Sequence, residues 1–443
     1  MGNKLAVNNG KKSVSPELKI RWPVISEADK QAVMEVLDSG NLWGPYAPNC
    51  KGLEAEFAAY VGTKYCIAFN SGTAALHAAV RAAGVGPGDE VITAAYSFLA
   101  SAVAVLHSNG IPVFVDIDPK THNIDPAKIE EKITERTKAL IPVHIEGTPA
   151  EMDGIMEIAR KHGLVVIEDA AEAHGTRYRG RNIGTIGDMA IFSLNSTKNL
   201  PGGEGGLFIT DSAEYRGRAN MLRIFGEYME EGEGRSYVAY TLGWNYRTQE
   251  MPAAFARSQL RRLDANNENS RRNGEYLSKE LAKIKGLEPP FVPKHSLTNY
   301  YKYRLRLKPV ELGLDIDAEE FRDKLLIALR EEGVDVAIWQ TKPLVSNPLF
   351  QIRDGYGSGC PWSCPFYKAE IVYREEEYPA TIDLLKNSII LGSEEYPLFP
   401  QKIELMERYV EAFHKVFDNL EEVLGIDVSR FKRKGALGRA EEL

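Results

Sequence analysis

The stretch "YCIAFNSGTAALHAAVRAAGV", residues 65–85, decides the fold. Residues 65–70 form a short apolar run, Ser71, Gly72 and Thr73 interrupt it, and the alanine-rich segment that follows has helical spacing. A strand entering a helix through a small turn is half of a βαβ unit, and the neighbouring sequence repeats the theme. "PGDEVITAAY" reads as turn and strand, "LASAVAVLHSNG" as a helix closed by glycine, and "PVFVDID" as another strand. "TKALIPVHIEG", "MDGIMEIARKHG" and "LVVIEDAAEAHG" continue the rhythm. Strands this apolar and β-branched are buried on both faces, so we expect an α/β protein with a mostly parallel central sheet and helices on both faces.

Near residue 250 the rhythm changes. "MPAAFARSQLRRLDANNENSRRNGEYLSKELAKI" (251–284) reads as one long helix or a kinked pair. Beyond it, "YYKYRLRL" alternates like a strand, and "AEEFRDKLLIALREEG" and "KIELMERYVEAFHKVFDNLEEV" are amphipathic helices. The expected organisation is an N-terminal arm (1–20), a large domain (21–260), and a connecting helix with a smaller C-terminal α+β domain (261–443).

The composition suits small-molecule chemistry. A chain of 443 residues with 44% hydrophobic and 26% charged content has room for two cores. Its net charge of −8 argues against a nucleic-acid surface. The basic runs "RRLDANNENSRR" (261–272) and "RFKRKGALGRA" (430–440) read as a solvated helix face and a frayed terminus. No apolar run of roughly 18 residues occurs, and "MGNKLAVNNGKKSV" has neither an apolar leader core nor the sixth-position hydroxyl of a myristoylation signal. The expectation is a cytoplasmic protein with no membrane or nucleic-acid partner. Cys50, Cys66, Cys360 and Cys364 are too scattered for a disulfide framework. "CPWSCP" offers two thiols where zinc takes about four ligands, so no metal is expected and a proline-rigid loop is the simpler reading.

Ligands of parallel sheets gather at the carboxyl ends of the strands, and four places there carry chemistry. "NSGTAA" (70–75) offers backbone N–H groups, hydroxyls and a helix N-terminus to an anion such as phosphate, although an N-cap needs no ligand to explain it. In "VVIEDAAEAHG" (165–175) two acids leave an apolar strand together, with Asp169 at its carboxyl end. A buried carboxylate needs a partner, which a protonated cofactor ring nitrogen, an N-cap or an ion pair would each supply. The aromatics of "YSF" (96–98) either stack on a flat ring or cap the core. In "FSLNSTKNLPGGEGG" (192–206), Ser193 and Lys198 follow an apolar strand, and the glycines leave room for cofactor and substrate.

Lys198 is not a P-loop lysine, because its glycines follow it, and "NSGTAA" is not the "GxGxxG" of a dinucleotide fold. Phosphate contacts, an acid for a ring nitrogen, a stacking aromatic and a lysine amine are together what pyridoxal 5'-phosphate (PLP) requires.

Five ordered segments carry a family likeness. "GPYAPNCKGLEAEFAAYVGTKYCIAFNSGTAALHAAVRAAGVGPGDEVIT", "PVFVDIDPKTHNIDP", "VIEDAAEAHG", "FSLNSTKNLPGGEGG" and "LGWNYRTQEMPAA" resemble the DegT/DnrJ/EryC1/StrS aminotransferases, closely over residues 20–285 and loosely beyond. The resemblance implies the fold type I, aspartate aminotransferase-like architecture and bound PLP. It implies transfer of an amino group from glutamate or glutamine to a keto-sugar, nucleotide-linked or phosphorylated, or to a cyclitol ketone.

By the same resemblance, Lys198 forms the Schiff base and moves the proton, and Asp169 partners the pyridine nitrogen. Gly72, Thr73 and Ser193 hold the phosphate, and Phe98 stacks on the ring. Asn245 reaches across a homodimer interface to the neighbouring cofactor, so that active sites are shared. Glu172 stands where the family has Gln or His, next to the cofactor hydroxyl; a carboxylate there is repelled unless one group is protonated or a cation sits nearby. His144, Arg223, Tyr246 and Arg247 are candidates for the acceptor, and the insertion at 345–381 is expected to reshape the substrate mouth. A sister branch, a PLP-dependent sugar dehydratase, has histidine in place of the lysine, and Lys198 argues against it. A non-catalytic regulator on the same scaffold is the remaining rival.

Overall fold

Seven strands build the central sheet: β1 (Tyr65–Phe69), β2 (Glu90–Ala94), β3 (Ile111–Val115), β4 (Thr137–Ile141), β5 (Val165–Asp169), β6 (Met189–Ser193) and β7 (Gly206–Thr210). The computed structural model describes residues 4–44, 46–229, 235, 237–434 and 439–442. Strand order is β1-β7-β6-β5-β4-β2-β3. All pairs from β6 through β3 are parallel, and β7 lies antiparallel between β1 and β6. The mostly parallel sheet is thus observed with one reversal. A parallel return needs a crossover of a dozen or more residues, usually a helix; the loop after β6 contains none, so the chain comes back reversed.

Alternate strand residues feed cores on opposite faces, as the two-residue period demands. Ile67, Ile141, Ile167 and Ile191 pack beneath the helix Gly72–Ala82, whereas Ala68, Leu140, Val166 and Phe192 meet Phe57 and Ile155 on the other side. The connecting segment is the kinked pair, Glu250–Leu260 and Leu263–Leu281. Its basic run is not wholly solvated: Asn267 is buried and donates to the His174 carbonyl at 2.9 Å, while Arg262 pairs with Asp29 at 2.6 Å.

A second core surrounds a smaller antiparallel sheet, β8 (Leu287–Glu288), β9 (Tyr303–Leu307), β10 (Val336–Ala337) and β11 (Ser388–Leu391), in the order β8-β9-β11-β10. The helices Ala318–Glu331 and Ile403–Phe417 cover it with Phe321, Leu325, Tyr409 and Phe413. Leu5 and Val14 are buried in the same core, which ties down the N-terminal arm. At the other end, Phe431–Lys434 and Arg439–Glu442 pair as a hairpin, so part of the tail expected to fray is paired backbone; residues 435–438 and 443 lie outside the described residues.

The insertion does not go where it was expected. Leu344, Phe350, Trp362 and Tyr373 pack against Ala102 and Phe114 of the large domain. The Tyr373 hydroxyl donates to the Pro112 carbonyl at 2.8 Å, and the Leu344 N–H donates to the Ala95 carbonyl at 2.8 Å. The reason is composition: Phe350, Trp362, Tyr367, Tyr373 and Tyr378 find burial on the outer side of the β2–β3 edge, while Tyr356 and Phe366 stay exposed. The segment buttresses the Tyr96–Phe98 turn from behind, and no residue of 345–381 lines the cavity described next.

Candidate active site

The carboxyl ends of β1, β5 and β6 open into a cavity of about 460 Å³. At one end, the helix Gly72–Ala82 starts from Ser71, whose hydroxyl caps the Ala74 N–H at 3.1 Å. No acceptor among the described residues takes the N–H groups of Gly72 and Thr73. Ser193, the last residue of β6, sits so close that a Cβ on Gly72 would lie 3.1 Å from its own Cβ. Two unmet backbone donors, a helix N-terminus and a hydroxyl make an anion cradle.

The glycines of "GGEGG" serve this cradle in an unexpected way. A Cβ on Gly206 would fall 2.3 Å from the Ser71 carbonyl oxygen. The space expected for cofactor and substrate is, at Gly206, filled by the protein's own turn at Ser71 and Gly72.

The two acids of β5 separate cleanly. Glu168 is fully buried and accepts N–H donors from Gly184, Ile186 and Gly187 at 2.7–2.8 Å, which makes it structural. Asp169 points into the cavity, where Ser101 donates to it at 2.8 Å and the Ala171 N–H at 3.2 Å. Burial pushes its carboxyl up despite these donors. A buried acid in that condition calls for a cationic partner. Phe98 stands on the cavity wall, 59% exposed.

Lys198 occupies the centre. Its Nζ lies 3.3 Å from Glu172 Oε1 and 4.4 Å from the centre of the Tyr301 ring. Its carbonyl accepts the Trp22 indole N–H at 3.1 Å, which anchors the backbone. Burial opposes charge on this amine, but the Tyr301 oxygen and the Glu172 carboxylate outweigh it and hold its pKa above the usual lysine value. Glu172 is itself fixed by the Glu146 N–H at 2.8 Å. The cation that a carboxylate at position 172 requires is therefore Lys198 itself.

This pairing sets a testable rate. Only the neutral amine attacks an aldehyde, so Glu172→Gln, by letting the amine fall, should speed capture of PLP by apoprotein at pH 7.5. The gain should be about tenfold for each unit by which the amine drops, read from growth of the visible absorbance. Unchanged capture would show that Glu172 does not hold the proton.

The four acceptor candidates lie elsewhere. His144 is fully buried: its Nδ1 accepts the Ala150 N–H, so Nε2 carries the proton that meets Glu168 at 3.1 Å. Arg223 is 2% exposed and bound to Glu54, Asn220 and the Ala68 carbonyl. Both side chains serve the fold's own acceptors and are withdrawn as substrate contacts within this cavity. The Tyr246 hydroxyl lies 3.1 Å from His77 Nδ1, outside the cavity. Arg247 and Asn245, bonded to each other at 2.9 Å, line a separate cavity of about 590 Å³ that shares Glu204 with the first.

Sequence reasoning missed Tyr301, Lys302, Trp339 and Glu394, all on the cavity wall. "YYKYRLRL" was read as strand throughout, but the strand begins at Tyr303 and the two residues before it turn into the site. Trp22 was missed as well, for want of any local pattern.

PLP fits these residues. The unmet N–H groups suit its phosphate, Asp169 its ring nitrogen and Lys198 its aldehyde, in a cavity of the size that holds small cofactors.

Comparison with known proteins agrees. The model of the DegT/DnrJ/EryC1/StrS aminotransferase family matches residues 23–373. An L-glutamine:scyllo-inosose aminotransferase of Streptomyces griseus is 34% identical, the match covering 96% of this chain and all of that one. A pleiotropic regulatory protein of Geobacillus stearothermophilus is 36% identical over 86% of this chain and 93% of its own. Among solved structures, S. venezuelae DesV in complex with a ketimine intermediate superposes with a TM-score of 0.75 and 32% identity, covering 88% of this chain and 94% of that one.

Proposed function

The chain belongs to the DegT/DnrJ/EryC1/StrS aminotransferase family and is an aminotransferase of its sugar and cyclitol type with the type I fold; from that premise we propose that it uses PLP to move an amino group from glutamine or glutamate to a cyclitol or keto-sugar ketone. The observation that carries the reading is the single cavity in which Lys198, Asp169, Ser193 and the free N–H groups of Gly72 and Thr73 converge. With His144 and Arg223 committed elsewhere, the only cations lining it among the described residues are Lys198 and Lys302. That supports an uncharged cyclitol ketone over a diphosphate-bearing sugar.

In this mechanism Gly72, Thr73 and Ser193 would hold the phosphate, and Phe98 would lie against the ring. When bound, PLP supplies the electron sink that stabilises negative charge on the substrate carbon. Asp169 would hold the proton on the ring nitrogen. Lys198 would hold the aldehyde carbon and, once the donor amine is in place, would move the proton at the substrate carbon for donor and ketone alike. Glu172 sets how readily that amine parts with its proton.

We read the working unit as a cytoplasmic homodimer. Leu42 and Trp43, both exposed, line the cavity of Asn245 and Arg247, and the centre of the exposed Phe225 ring lies 5.3 Å from the Arg247 guanidinium, an apolar margin suited to a second copy that shares that cavity. Among the described residues no helix is long and apolar enough to cross a membrane.

The test is optical. Holoprotein given L-glutamine or L-glutamate should lose its visible band, and scyllo-inosose should restore it. The regulatory name of one relative favours a second reading, in which the same cavity binds without turnover; a band that no amino acid bleaches would select that reading.

A further inference from the structure

A second cavity, of about 550 Å³, lies behind a wall made by Thr197, Tyr301, Lys302, Trp339 and Glu394, residues that border both spaces. Lys302 is the cation in that wall. Two residues along, the buried Arg304 is satisfied by Glu146, Tyr96 and Ser388. Lys302 is not: among the described residues no carboxylate or carbonyl accepts from its amine. Its Nζ rests 3.5 Å from the centre of the Trp339 ring and 5.7 Å from that of Tyr301. An aromatic face steadies a cation but leaves its N–H bonds without a directed acceptor.

Lys198 lies over the same Tyr301 ring, so the two amines border one small volume. An amino-acid donor must bring its carboxylate into that volume, and a carboxylate leaving water requires a cation and hydrogen bonds. Lys198 is taken up by the chemistry. Lys302 is the cation that remains.

We propose that Lys302 is the residue that binds the carboxylate of the amino donor and so presents the donor amine to Lys198. The inference rests on the aminotransferase reading. Burial pulls the Lys302 amine down to about 8 against the pull of Glu172, Glu394 and Glu146, with Lys198 adding to the fall. An arriving carboxylate restores the favourable charge, so this corner of the pocket is primed for the donor's anion.

The experiment uses holoprotein with Lys302→Met, Lys302→Gln and Lys302→Arg. Loss of one charge-assisted pair should raise the donor KM by about 10- to 100-fold in the Met and Gln variants. Their acceptor KM should stay within about twofold, a shift worth less than half a kcal/mol, and Arg should recover most of the loss. Glutarate, a dicarboxylate with no amine to transfer, supplies a readout apart from turnover: its dissociation constant, measured by calorimetry, should rise by a similar factor. An unchanged donor KM and glutarate affinity, or a change confined to the acceptor, overturns the assignment. If the Met variant fails to fold, Gln against Arg carries the comparison. Wild-type protein that binds glutarate through Lys302 yet is never bleached by a donor would sink the aminotransferase reading and leave the anion site standing.

Discussion

Lys198→Ala is expected to lower turnover by at least about 10⁴-fold, the upper end of what a single proton-transfer group contributes. Among the described residues no other amine is placed to replace it: Lys302 lines the same cavity but lies against Trp339. The variant should still bind PLP through the phosphate cradle, because Gly72, Thr73 and Ser193 are untouched, but its absorbance should be that of the free aldehyde. Millimolar methylamine should restore part of the rate, since a small amine can occupy the space the side chain leaves. Single-turnover bleaching with glutamine measures both effects, and activity near that of wild type would remove Lys198 from the reaction.

Asp169→Asn should cost on the order of 10²- to 10³-fold in turnover, the range for removing one preorganised electrostatic partner. The amide keeps the shape and still accepts from Ser101, but it cannot hold a proton on a ring nitrogen. The stability of the apoprotein should move the other way or not at all. Burial already disfavours the Asp169 carboxylate, and removing a buried charge that lacks a cation relieves its desolvation. A purely structural N-cap or ion pair predicts the opposite, a destabilised apoprotein with unchanged kinetics. Thermal unfolding beside steady-state rates distinguishes the two.

What the sequence revealed follows from how local each feature is. Gly72, Asp169 and Ser193 stand at strand ends, and a strand followed by a turn is written in consecutive residues. The kinked connector and the amphipathic helices were readable for the same reason. Tyr301 and Lys302 reach the cavity, and Trp22 the Lys198 carbonyl, only because distant segments pack together, and no periodicity encodes that meeting. Arg223 and His144 misled because a side chain's type does not name its partner; Glu54 and Glu168 had prior claim on them. The reversal of β7 was equally hidden, since "GLFIT" is apolar in either direction.

The placement of β1 has a consequence for how the protein is made. In the central sheet its ladder partner is β7, residues 206–210, although β1 itself ends at residue 69. On a ribosome adding about 5–20 residues per second, the apolar "YCIAF" emerges many seconds before the strand that covers it. Pairing across such separations is slow and leaves an open edge in the meantime. The turn at Ser71 and Gly72 closes in the same event, because Gly206 of β7 is the residue that admits them. A nascent chain halted before residue 206 would therefore expose an adhesive strand and leave the mouth of the candidate site unformed.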